Sequence, residues 1–163
     1  MMQIGELVVH GTAGVCRVEG ETRLDGMEGT YYVLSPLYVK DATFYTPMNG
    51  GKVKLRPVMS RADALRLINE IPSIEPVVFR GMNEQKLRSA EILKSGDSHQ
   101  LVSLTKTIYA HRQRRSSMGK KIGSNDAATL KKAETLLFGE LATALEMPFE
   151  EIPGYVGHQL GMQ

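Results

Sequence analysis

No tryptophan occurs in the 163 residues, and cysteine occurs once, as Cys16. A single cysteine excludes an intrachain disulfide and, with only four histidines, leaves little material for a zinc site, which takes about four ligands in clustered pairs. No apolar run approaches the roughly 20 residues of a membrane-spanning helix. The first residues do not read as a basic-then-apolar leader, so the expectation is a cytoplasmic chain. There is no Gly-rich loop followed by Lys, hence no P-loop. The last 31 residues contain no Lys or Arg at all, against five Glu.

That last absence exposes a pattern hidden by the net charge of +2. Residues 1–75 are nearly balanced, with 8 basic and 9 acidic residues. Residues 76–132 carry 12 basic and 4 acidic residues. A basic block between acidic flanks can draw a polyanion, because phosphate contacts dominate non-specific nucleic-acid affinity; it is also what a solvated helix face looks like.

Two grammars divide the chain. Residues 1–57 read as short strands: "ELVVH", "VCRVEGETR", "TYYVLSPL" and "TFYTPM" are β-branched or aromatic and punctuated by turn residues. "LDGMEG" and "MNGG" are turn signals. Cys16, Val18 and Gly20 alternate with Arg17, Glu19 and Glu21, so one face is packed and the other wet. Residues 58–163 read as about five helices. Ser60 caps the first, which buries Ala64, Leu67, Ile68 and Ile71. The second uses Leu87, Ile92 and Leu93 and stops at Gly96. Asp97 caps the third, whose stripe is Leu101, Leu104, Thr105, Ile108 and Tyr109. "SSMGKKIGSN", from Ser116, reads as a loop, Ser124 or Asn125 caps the fourth helix, and Pro148 opens a short fifth. The expected fold is α+β in two domains: a small antiparallel β-barrel at 1–57 and an all-helical bundle at 58–163.

The stretch "VVHGTAGVCRVEGETR" tests for chemistry. His10 and Cys16 share it, yet Cys16 falls on the inward face, where a lone thiol is normally an inert core residue. Glu150 and Glu151 are adjacent and so diverge by about 100° on a helix, which suits solvation better than acid–base work. Nothing asks for a cofactor or a metal, and the chain is expected not to be an enzyme.

The ordered set "IGELVVHGTAGVCRVEGETR", "YYVL", "TFYTPM", "LKSGD" and "AETLLFGELATAL" resembles the CarD/CdnL family of bacterial transcription regulators. That resemblance implies a Tudor-like barrel, of the type also found in transcription–repair coupling factors, that binds the β subunit lobe of RNA polymerase. It implies a helical domain at promoter DNA near the upstream edge of the melted bubble, and stabilisation of the open complex without covalent chemistry. The polymerase contact implied is strand addition by Thr43, Phe44, Tyr45 and Thr46, stopped by Pro47, with Arg23 facing the partner. By alternation only one of Phe44 and Tyr45 points inward. At Tyr45 the family can carry Arg. The DNA contact implied falls on Met82, where many relatives place a Trp wedge, backed by Lys86, Arg88, Arg112, Arg114 and Arg115. Met82 reads equally well as a core methionine. Glu84 and Gln85 stand where relatives are often basic, which favours a rival reading as a protein adaptor that meets no DNA. A small Cys/His-dependent enzyme is the third reading.

Overall fold

The structure is a computed structural model that describes residues 2–49 and 55–160, without the side chains of the last three. The turn expected around "MNGG" reaches into residues outside the described ones. Five strands, β1 Leu7–His10, β2 Gly14–Thr22, β3 Tyr31–Pro36, β4 Phe44–Pro47 and β5 Leu55–Pro57, form one antiparallel sheet in the order β4-β3-β2-β1-β5. A helical unit follows: α1 Arg61–Glu70, α2 Met82–Ser95, α3 Ser98–Ser117, α4 Ser124–Leu145 and α5 Ile152–Leu160. The layout is α+β in two domains.

Alternation in β2 is as the sequence requires. Cys16 and Val18 are buried, while Arg17, Glu19 and Glu21 are exposed. A register shift between Val18 and Gly20 against β3 marks a bulge, which adds twist. The expected small barrel is a curled sheet. Phe44 on one edge and Leu55 on the other both pack on the same cluster of Val8, Ala13, Cys16, Val18, Tyr32 and Leu34. At the β2–β3 turn, Gly26 and Gly29 take the positive φ (77° and 84°) that "LDGMEG" anticipates.

The helices largely follow their sequence signals. Ser60 accepts from Asp63 N at 3.0 Å, and Asp97 accepts from His99 and Gln100 N at 2.9 and 3.1 Å. Gly96 ends α2 in the left-handed conformation, φ 72°. All five residues of the α3 stripe are buried. Three expectations fail. Leu87 is 67% exposed, because it sits about 140° around the helix from Ile92; the inward residues are Ser89 and Ile92. Neither Ser124 nor Asn125 caps α4. Its N-cap is Gly123, which offers no side-chain acceptor. α3 also runs on to Ser117, so the loop expected to begin at Ser116 is shorter.

The sheet and the helices meet through α4. Its Gly139 lies against the Tyr38 ring, where a Cβ would come within 2.7 Å. The Tyr38 hydroxyl is 3.0 Å from Thr143 Oγ1, one turn on. Gly14 of β2 meets the Leu136 side chain.

Candidate functional site

The strand edge comes first. β4 pairs with β3 on one side, Tyr31 opposite Pro47 and Leu34 opposite Phe44, and is the outermost strand of the order. The ladder therefore starts at Phe44 and includes Pro47; the expected strand, Thr43–Thr46 halted by Pro47, is shifted by one residue. Pro has no N–H to donate, which suits an edge position. Phe44 turns inward, packing on the sheet's core and tilting against the His10 ring with centroids 5.8 Å apart. Phe44 is half-buried and Thr46 is buried, so Thr46 offers a partner only its backbone. Tyr45 points out and is 47% exposed. Thr43 and Arg23 are exposed in the flanking loops.

His10 and Cys16 resolve into structure. His10 Nδ1 accepts from Thr12 N (3.2 Å) and Ala13 N (3.1 Å), closing the β1–β2 corner. Burial lowers its pKa from the ordinary 6.5. Cys16 is fully buried, and burial pushes its thiol up to about 12, far from the thiolate that a nucleophile needs. Among the described residues no group of three or more His, Cys, Asp and Glu is placed to hold a metal. The side chain of His158 lies outside those described.

The basic residues do not form one patch. Met82 is 79% exposed at the start of α2, so it is no core methionine. Met82, Lys86 and Arg115 line one cavity between α2 and the start of α4. Arg88 leans instead toward Glu84 (3.9 Å) and the Phe79 ring. Glu84 also accepts from Arg80 N at 3.3 Å, in the first turn of α2, where the helix dipole favours a negative charge. Arg112 stacks over Tyr109, 4.7 Å from the ring centroid. Burial, then the hydrogen bond to Glu134, push the Tyr109 hydroxyl's pKa up. Arg114 is exposed.

A group the sequence reading missed ties the two units together. Arg56 of β5 forms a fork on Glu140 of α4, at 2.5 and 2.6 Å. The same guanidinium donates to the Gly96 carbonyl between α2 and α3, at 2.7 and 3.0 Å. Glu140, 3% exposed, also accepts from Met59 N at 2.9 Å. The hydrogen bond to Glu140 is the main reason the Arg56 pKa rises. One signal was available: a Glu inside the apolar run of α4 needs a partner.

Residues 2–59 match the family described as CarD-like/TRCF RID domain, the RNA polymerase-interacting domain of transcription-related proteins. No curated protein matches the chain at a significant level.

Proposed function

We propose that the chain, whose residues 2–59 match the CarD-like/TRCF RID domain, regulates transcription by gripping the polymerase β lobe through the β4 edge. The observation that carries this is the edge itself. Among the described residues, β4 has a β3 ladder on one side only, with Tyr45 outward and Phe44 inward. An extended segment of the lobe then adds as a sixth strand. Its backbone bonds supply affinity, and Tyr45 and Arg23 supply side-chain contacts.

The helical unit, residues 58–163, then sits beside promoter DNA at the upstream edge of the bubble and slows its collapse. Met82 projects from the helix start as an apolar wedge, a role methionine fills in minor-groove binders. Lys86, Arg88, Arg112, Arg114 and Arg115 supply backbone electrostatics. No covalent step, cofactor or metal is involved, and the site of action is the cytoplasm. Tethering by the sheet makes weak DNA contacts sufficient.

The scatter of the basic residues favours a second reading, an adaptor that binds polymerase without DNA. Two measurements separate them. Binding of the full chain to core RNA polymerase and to the isolated β lobe is expected at micromolar or tighter affinity, lost in Tyr45→Glu; no binding to either at low salt sinks the whole proposal. Open-complex lifetime on a promoter fragment is then compared for the wild type and the charge reversal of Arg112, Arg114 and Arg115. A shortened lifetime supports the DNA role, and an unchanged one selects the adaptor.

A further inference from the structure

The cavity between α2 and α4 measures about 600 Å³, large enough for a nucleotide-sized ligand. One wall is the α2 face that presents Met82, Lys86 and Ser89, and the other is the first turn of α4. Three features converge there. α4 is 22 residues long and its N-cap glycine has no side chain to satisfy the first-turn N–H groups. Those donors, with the positive end of the helix dipole, face the cavity. Lys86 and Arg115 bring two positive charges from different helices. Arg115 is anchored by its Nε on the Lys121 carbonyl, at 2.6 Å.

Ser89 is the third feature. It lines the cavity, is 5% exposed, and its hydroxyl is the one buried side-chain polar atom without a hydrogen-bond partner among the described residues. A mid-helix serine commonly bonds the carbonyl four residues back, as Thr105 does to Leu101 in α3. Ser89 makes no such bond, although it lines the cavity. Asp126 also lines this space. Its two oxygens are engaged, one by Gln85 Nε2 at 2.7 Å and the other beside His111 Nδ1 at 3.1 Å.

We propose that this cavity binds a phosphate group, held by the first-turn N–H groups of α4, by Lys86 and Arg115, and by the Ser89 hydroxyl. The phosphate comes either from the DNA backbone, in which case the site rests on the DNA reading above, or from a free phosphorylated ligand. Isotope-labelled full chain is titrated at low salt with inorganic pyrophosphate and, separately, with a short DNA duplex, following the amides of Ser124, Asn125 and Asp126. Saturable shifts are expected with at least one of the two. Lys86→Gln and Arg115→Gln each weaken that binding about three- to tenfold, as loss of a charge-assisted contact does, and Ser89→Ala weakens it about twofold at an unchanged melting temperature. Response to the duplex alone assigns the phosphate to DNA. Response to pyrophosphate alone assigns it to a free ligand, even if the DNA reading fails. Shifts with neither probe, or shifts that none of the three variants alters, overturn the proposal. Polymerase binding on the same sample reports separately on the family function.

Discussion

At the scale of the residue, His10 and Cys16 illustrate how a pair that invites a chemical reading is explained by hydrogen bonding and burial. His10 Nδ1 already accepts two backbone N–H groups, and burial lowers the pKa of the ring. The unfolded chain therefore binds a proton more readily than the folded one. Stability is full above the ordinary pKa of 6.5 and is lost as pH falls from there toward the lowered folded value. Asparagine at this position keeps a local acceptor without titrating. Melting temperature is expected to drop between pH 7 and pH 5 in the wild type and to drop less in His10→Asn; equal drops would remove His10 as the cause. For Cys16, with its thiol near 12, alkylation in native buffer is expected to be negligible and to become complete in denaturant. Cys16→Ala is expected to cost about 1–2 kcal/mol, a small-cavity effect, measured by urea unfolding, with polymerase binding intact.

At the scale of the element, the helices separate what a local pattern can say from what it cannot. Gly96 and Asp97 in "LKSGD" were legible because a stop and a cap are local chemistry. The α3 stripe was legible because Leu101, Leu104, Ile108 and Tyr109, with Thr105 among them, obey one period. In α2 the apolar residues are too few to fix a face, and Leu87, which their spacing places inward, is exposed. Leu87→Gln is accordingly expected to change stability by less than about 0.5 kcal/mol, whereas Ile92→Ala, at 6% exposure, costs about 2–4 kcal/mol; chemical denaturation of the two variants checks the ordering. Gly139 was legible only as part of a motif. Its reason lies 101 positions away in sequence, in the Tyr38 ring that a Cβ would meet at 2.7 Å. Gly139→Ala is expected to destabilise by about 1–3 kcal/mol. Much of that cost should vanish in the Tyr38→Ala background, since the clash then has no partner; equal costs in both backgrounds would place the strain elsewhere.

At the scale of the whole molecule, the question is what fixes the polymerase-facing sheet relative to the helices. Short strands and amphipathic helices could be read one by one, but the join depends on a pair 84 positions apart, Arg56 and Glu140, and no periodicity links two such residues. The fork on Glu140 and the two bonds to the Gly96 carbonyl make one guanidinium common to β5, α4 and the α2–α3 corner. Glu140 is buried at 3% exposure while the Arg56 side chain is 34% exposed, so solvent screens the arginine end. Removing Arg56 strands a buried carboxylate, the costly way to break such a pair; discounted for screening, Arg56→Leu is expected to cost about 2–3 kcal/mol. Arg56→Leu with Glu140→Leu removes both charges and is expected to regain part of that loss. If the join alone is weakened, hydrogen exchange should accelerate first at Met59 N, whose acceptor is Glu140, while amides paired within β2 and β3 keep their protection. Isolated polymerase-lobe binding should then survive in the double variant, because Tyr45 lies on the far edge of the sheet from β5. Only a function that needs sheet and helices in fixed register, such as prolonging an open complex, should fall. Loss of lobe binding together with that function would mean that the pair supports the sheet itself rather than its orientation.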